Sequence, residues 1–280
     1  AKSKVITFGK FPNKLATRWQ VGNQQILSIA TYKYLGVWFN DNGLPIKHRS
    51  VIKLKGSQLR FHLKRLYVNL PSPSATAILK VIDAKLLPTL AYGHLAYPGK
   101  LVQLIDNTLV KVYKGVFGIK SHARQARVRC EFGLTSFRYL ELTGVVNYFL
   151  SVTRSPPCTL KQVIRNIFVE KGNPWSDLLT SSINHYDIVE EALMNNIIPL
   201  AKWKEVLSRE AKISSLINDI KLQRSSPVSF CTNNSYLVGR PQSYLNDALN
   251  PSTRSKILNL RLHTIQLKYF NPNWQRSHNF

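Results

Sequence analysis

The spacing of apolar residues changes near Pro45 and divides the chain into a short β-rich start and a longer helical part. Three early segments are rich in β-branched and aromatic residues and are predicted to be strands: Lys4–Phe8, Gln25–Ile29 and Tyr32–Phe39. Asn40–Gly43 is a typical turn sequence, and beyond it apolar residues recur at helical spacing. These patterns predict an α+β fold that is mostly α.

The first predicted helix runs from about Pro45 to just before Pro71 and carries two stripes. At 100° per residue, four apolar residues fall within an arc of about 60°, as in an amphipathic helix: Ile52, Leu59, Leu63 and Leu66. Four cations share one flank of the same helix: Arg49, Lys53, Arg60 and Lys64.

These four cations have no acidic residue near them in the sequence. No Asp or Glu occurs between Asp41 and Asp83, so pairs three or four residues apart cannot neutralise the stripe. We therefore expect the cations to bind an external anion, and phosphate groups of a nucleic acid are the favoured interpretation. The alternative is a solvated basic face of a surface helix.

Further helical patterns follow and predict a helical bundle. A second helix is predicted to begin with Ser74 as its N-cap and to end at Pro88. A third covers about Leu101–Val116 and closes at Gly118, where a left-handed C-cap is expected. Another helical run continues to about Leu150.

The segment Ser121–Arg129 is predicted to be a loop that makes a second phosphate contact, through Arg124, Arg127 and Arg129. Proline-containing breaks place a domain or subdomain boundary near Ser155. After Pro251 a short capped helix is predicted. Four aromatic residues of the tail either cover a core or stack on bases: Tyr269, Phe270, Trp274 and Phe280.

Composition and charge narrow the class of protein. The chain has 280 residues, 44% of them hydrophobic, which is enough apolar surface for a folded core. Its 39 Lys and Arg face 14 Asp and Glu, a net charge of +25. Most of the excess, +19, precedes Cys130. The expected partner is therefore a polyanion that binds the first half of the chain.

Several kinds of chemistry have no signature in the sequence. Three scattered cysteines provide neither a disulfide framework nor a zinc site, which favours a reducing compartment. No P-loop, dinucleotide-binding, zinc-protease or serine-hydrolase motif occurs, and no pair of adjacent aspartates is available for two metal ions. No apolar run is long enough to span a bilayer. We expect this chain by itself to be inactive as a catalyst.

Four segments, in their order along the chain, carry a resemblance to a known family: Lys2–Phe8, Tyr32–Val37, Leu87–Gly93 and Arg129–Leu134. The chain resembles the C-terminal part of a LINE-type (non-LTR) retrotransposon reverse transcriptase. The resemblance covers residues 1 to about 150 well and is thin over residues 151 to 250. It implies an RNA-directed DNA polymerase as the parent protein, with RNA template and DNA primer as partners and a nuclear and cytoplasmic location.

The resemblance also implies an organisation. Residues 1–45 would be the end of the palm with a primer-grip hairpin, residues 46–150 a helical thumb, and residues 151–250 a helical linker. Residues 251–280 would be a tail that leads toward a zinc knuckle beyond the chain. The resemblance places the palm aspartates, which hold two Mg²⁺ ions, upstream of Ala1, and the dNTP would bind in that part of the parent palm. No residue of this chain is therefore assigned as a catalytic residue or metal ligand.

Individual roles follow by position in the family's motifs. Lys2 or Lys4 would be the palm lysine close to the incoming nucleotide, and Tyr34, Leu35 and Gly36 would set the primer's 3′ end. Gly36 also fits this role physically, because a glycine lets a backbone approach closely. The cationic stripe would lie on the thumb helix that follows the duplex backbone, where phosphate contacts position the substrate without reading its sequence.

Other readings of the same residues stay open. A stand-alone basic nucleic-acid-binding module would share the charge and lack a polymerase parent, and a degenerate, non-mobile copy of the element is a third possibility. A membrane surface is the least favoured partner, because the apolar face of the cationic helix carries no Trp or Phe anchor.

Overall fold

The computed structural model describes residues 4–9, 19–69, 75–154, 158–170, 172–185, 200–224 and 250–262. It confirms an α+β fold that is mostly helical, with small sheets at the N-terminal end followed by helices. No helix among the described residues is long and apolar enough to cross a membrane.

Five short strands form two sheets: β1 (Lys4–Val5), β2 (Trp19–Val21), β3 (Gln24–Ser28), β4 (Thr31–Tyr34) and β5 (Val37–Asn40). In the first sheet β3 lies in the middle, parallel to β1 and antiparallel to β2. The second sheet is the β4–β5 hairpin. The single run predicted over residues 32–39 is thus two strands, because Leu35 and Gly36 turn the chain with φ of 45° and 84°.

Helix α1 (Ile46–Asn69) follows the predicted turn, in which the Gly43 N–H bonds the Asn40 carbonyl at 2.9 Å. Ile52 and Leu63 are buried as predicted, but Leu66 is 43% exposed. At this end of α1 the buried side chain is that of Tyr67, whose ring centroid lies 5.1 Å from that of Phe117. Leu66 projects 100° away from Tyr67 around the axis and therefore stays in solvent.

Helix α2 (Ala75–Ala91) continues through Pro88, so the prediction that Pro88 ends it is wrong. Pro88 lies in the last turn of α2 and has no N–H to donate to the carbonyl of Ala84. Because Ala84 is exposed, water can hydrogen-bond this carbonyl instead. The hydroxyl of Thr89 donates to the Lys85 carbonyl at 2.6 Å in the same turn. The predicted N-cap Ser74 lies outside the described residues.

Helix α3 (Val102–Val116) is followed by Gly118 at φ 66°, as predicted. Helix α4 (Gln125–Phe132) replaces most of the predicted loop, so that prediction is wrong. The 8-residue helix ends at Gly133, whose φ of 65° closes it, and the Leu134 N–H bonds the Arg129 carbonyl at 2.9 Å. A short polar sequence became helical because its apolar members pack into the core.

Helix α5 (Phe137–Thr153) starts at a buried cap built from another helix. Asp106 of α3 accepts hydrogen bonds of 2.6 Å from the Ser136 hydroxyl and from the Phe137 N–H. Its carboxylate thus provides an acceptor for a backbone N–H in the first turn of α5, which has no partner within the helix. The remaining helices are α6 (Thr159–Val169), α7 (Pro174–His185), α8 (Leu200–Arg224) and α9 (Pro251–Arg261). The predicted break at Ser155 and the aromatic tail lie outside the described residues.

Two apolar cores divide these helices. The first is formed by α1 to α4 with Val37 and the start of α5, and the second by the later part of α5 with α6, α7 and α8. Leu258 and Leu262 at the C-terminal end are part of the first core. Arg254 of α9 is fully buried and donates a 2.8 Å bond to the Tyr67 hydroxyl. The bundle predicted from residues 46–150 is thus completed by residues about 100 positions further along the chain.

The carboxyl of Glu141 on α5 makes folding dependent on pH. It is 2% exposed and accepts a 3.0 Å bond from the Gly99 N–H. Burial raises the pKa of Glu141 from its ordinary 4.5 to about 7, although the Gly99 bond acts in the opposite direction. The folded protein therefore keeps a proton that the unfolded chain releases between these two values.

We expect Glu141 by itself to lower the free energy of unfolding by roughly 3 kcal/mol between about pH 4.5 and about pH 7. The buried ring of His48, whose pKa is lowered, acts in the opposite direction below about pH 6.5, so the contribution of Glu141 is read from the difference between the unaltered protein and Glu141→Gln. Glu141→Gln keeps the acceptor oxygen and removes the charge, so it should flatten this part of the profile and stabilise the protein at pH 8. Urea unfolding at pH 5, 6, 7 and 8 measures both. Parallel profiles for the two proteins would contradict the assignment.

Candidate nucleic-acid interface

Helices α1 and α3 approach closely because of two glycines. A Cβ on Gly56 of α1 would lie 2.3 Å from Cγ2 of Thr108, and a Cβ on Gly115 of α3 would lie 2.4 Å from Cδ of Arg60. Neither position has room for a side chain, so glycine permits the contact. The stem of Arg60 consequently lies across α3, and an open groove runs between the two helices.

This α1–α3 groove has a volume of about 480 Å³, and polar and basic side chains line it together with the apolar Leu104 and Val112. Arg49, Lys53 and Arg60 reach it from α1, and Lys111 reaches it from α3. All four cations are exposed. Among the described residues none of them forms an ion pair with a carboxylate. The groove therefore concentrates unneutralised positive charge, the electrostatic requirement for binding a chain of phosphates.

Two amide side chains of α3, Gln103 and Asn107, also line the groove. Gln103 and Gln125 both donate to the carbonyl oxygen of Asn107, each at 2.9 Å. With its oxygen occupied, Asn107 has only its amide N–H groups for further partners. The sequence reasoning missed Gln103, Asn107 and Lys111, although their spacing of four residues puts them on one polar stripe of α3 and could have revealed them.

The fourth predicted cation, Lys64, is separated from the other three. It lines a cavity of about 470 Å³ between α1 and α9, together with Tyr67, Phe117 and Pro251. Because α9 is distant in sequence, the helical wheel of α1 alone could not distinguish Lys64 from its neighbours. The stripe is thus divided between two surfaces of the protein.

The hairpin tip at Tyr34–Leu35–Gly36 lies against the end of α2. The hydroxyl of Tyr92 donates to the Leu35 carbonyl, and a Cβ on Gly36 would lie 3.0 Å from Cε1 of Tyr92. A Cβ on Gly93 would lie 2.5 Å from Cγ2 of Val37. Two of the four segments that carry the family resemblance, 57 residues apart, are therefore in direct contact.

The tip itself is open to solvent. Tyr34, Leu35 and Tyr92 are 58%, 72% and 50% exposed. The ring of His48 on α1 helps to hold Tyr92 in this position, because its Nε2 donates a 3.2 Å hydrogen bond to the Tyr92 carbonyl. Burial lowers the pKa of His48, so the neutral ring is the form that makes this bond at neutral pH. The tip is thus an exposed turn that contacts Tyr92 at the end of α2.

The three arginines near α4 have different surroundings. Arg124 is exposed, whereas Arg127 and Arg129 are only 6% and 9% exposed. The guanidinium of Arg129 forms a paired contact with the carboxylate of Asp219 on α8, including an Nε to Oδ2 distance of 2.8 Å. Arg129 is therefore neutralised within the fold, and of the three only Arg124 presents its charge to solvent.

The two predicted lysines, Lys2 and Lys4, belong to the N-terminal end of the chain. Lys4 is exposed in β1, where its Cα pairs with that of Leu27 on β3. Lys2 lies outside the described residues. The described residues contain no group of three or more His, Cys, Asp or Glu side chains arranged to hold a metal ion.

Comparison of the chain with protein-family models, with curated proteins and with solved structures finds no match.

Proposed function

We propose that this chain binds the template-primer duplex of a reverse transcriptase, as the thumb and adjoining part of a non-LTR retrotransposon polymerase whose catalytic aspartates lie elsewhere. The observation that carries the proposal is the α1–α3 groove, in which Arg49, Lys53, Arg60 and Lys111 converge without a described carboxylate partner. Cations that are exposed and unpaired bind phosphates with a favourable release of counterions.

The hairpin tip supports the same assignment. Tyr34–Leu35–Gly36 is held in a fixed position by Tyr92 and Gly93, and it is exposed on the side away from the core. A rigid, exposed turn next to a basic helix is suited to positioning a strand end, because it loses little conformational entropy on binding. In the proposed complex the groove holds the duplex backbone and the tip holds the primer end.

The proposal is tested by titrating the chain into a fluorescein-labelled 12-base-pair RNA–DNA hybrid and following anisotropy between 50 and 200 mM salt. With four phosphate contacts, the slope of log K against log salt should be about −3 to −4. A matched primer-extension assay with Mg²⁺ and dNTPs should show no incorporation by this chain alone. Absence of hybrid binding at 50 mM salt, or nucleotide incorporation, would contradict the proposal.

A further inference from the structure

Helix α1 carries a second apolar stripe on the side that faces away from the core. Leu54, Phe61 and Val68 are 59%, 65% and 57% exposed and follow one another at intervals of seven residues. Seven residues make nearly two helical turns and rise about 10.5 Å, so the three side chains lie along one line about 21 Å long. The three side chains therefore form one exposed row along α1, opposite the buried face of the helix.

Cations border this line on both sides. Lys53 directly precedes Leu54, and Arg60 directly precedes Phe61, so charge and apolar surface run along the helix in two parallel rows 100° apart. Arg65 borders the other side of the line and is exposed. No Asp or Glu occurs in α1. A partner that fits must therefore carry regularly spaced negative charge next to flat or apolar surface.

A single nucleic-acid strand has this combination, with phosphates on one side and base faces on the other. In a duplex the base faces are stacked within the helix and only base edges are reachable, whereas an unpaired strand exposes them to aromatic rings. The ring of Phe61 is accessible, and it lies against the ring of His62 at a centroid distance of 5.9 Å.

We propose that Phe61 stacks on a base of an unpaired strand whose phosphates lie along Lys53 and Arg60, with Leu54 and Val68 extending the contact. This inference rests on the proposed function and adds a substrate region to it. An unpaired nucleic-acid strand that enters or leaves the duplex in the groove would continue onto this row of apolar side chains. Lys53 and Arg60 line the groove and also border the row.

The test compares Phe61→Ala, Phe61→Leu and Phe61→Trp with the unaltered chain on two probes, a 12-nucleotide single-stranded RNA and the blunt 12-base-pair hybrid. Phe61→Ala should weaken single-strand binding roughly 5- to 100-fold and leave the salt slope unchanged, because a stacking contact is lost and no phosphate contact is. Phe61→Leu should be nearly as weak, since it keeps apolar area and lacks a π face, while Phe61→Trp should retain affinity. Hybrid binding should change less than about twofold in every variant.

Thermal unfolding checks that the variants are folded, and an exposed site should change stability by less than about 0.5 kcal/mol in each. Equal binding by Phe61→Leu and the unaltered chain would overturn the stacking inference while leaving the proposed function intact. Failure of the unaltered chain to bind either probe would overturn the proposed function itself. Vesicles containing phosphatidylserine form a third arm, since an exposed Phe beside cations is also a feature of membrane-surface helices. Loss of vesicle binding in Phe61→Ala with unchanged RNA binding would overturn the inference in favour of a membrane.

Discussion

Replacing Arg49, Lys53 and Arg60 together by Ala should reduce the affinity for an RNA–DNA hybrid roughly 100-fold at 0.1 M salt. Each phosphate contact contributes about 0.7 to 0.9 to the slope of log K against log salt, so the slope should fall by about 2 to 3 when three are removed. The loss should be similar for hybrids of different sequence, because contacts with phosphate carry no sequence information. Anisotropy titrations at four salt concentrations measure both quantities.

The control must separate the position of these charges from the net charge of the chain. Lys202, Lys204 and Arg209 on α8 are exposed and do not line the α1–α3 groove. Their replacement by Ala removes the same formal charge and should leave the salt slope nearly unchanged. Equal slopes for the two triple variants would indicate diffuse attraction and would contradict a defined groove.

Single replacements divide the predicted stripe further. Lys111→Ala should behave like the loss of any one groove cation, although sequence reasoning did not assign it. Lys64→Ala should have a smaller effect on hybrid affinity, because Lys64 lines the separate cavity beside α9. These two variants test whether the tertiary structure or the helical wheel of α1 describes the interface.

Replacing Asp219 by Ala should destabilise the fold by about 3–5 kcal/mol. Asp219 is 1% exposed and holds the guanidinium of Arg129, so its removal leaves a buried cation without its partner. The pair joins α4 to α8 across 90 residues of sequence, which links the first core to the helices that follow it. Urea unfolding followed by circular dichroism measures the change.

The double variant Arg129→Met with Asp219→Leu is the control for this prediction. It removes both charges and fills the space with apolar atoms, so it should cost much less than Asp219→Ala alone. It should also leave hybrid affinity unchanged, because Arg129 is directed to Asp219 and not to solvent. Weaker hybrid binding by a double variant of unchanged stability would indicate that Arg129 contacts the nucleic acid.

The sequence alone determined part of the succession of elements. The turn at residues 40–43, the long first helix and the α3 helix closing at Gly118 were all predictable, because turn residues and helical periodicity are local properties. Predictions failed where packing outweighed local preference, as in the continuation of α2 through Pro88 and the helix found at Gln125–Phe132. Strand β2 was missed although the sequence carries a local signal for it, because Gly22–Asn23 is a typical two-residue turn between β2 and β3.

For the site, the sequence determined that α1 is a basic helix without acids, so that no carboxylate of the same helix can neutralise its cations. Only the tertiary structure decided how these cations are distributed. Gly56 and Gly115 bring α3 close enough for Lys111 to join Arg49, Lys53 and Arg60, whereas α9 places Lys64 beside another cavity. Asp219 neutralises Arg129 from 90 residues away. The physical reason is the same throughout: charge and periodicity are written along the chain, but the partner of each charge is set by contacts between distant segments.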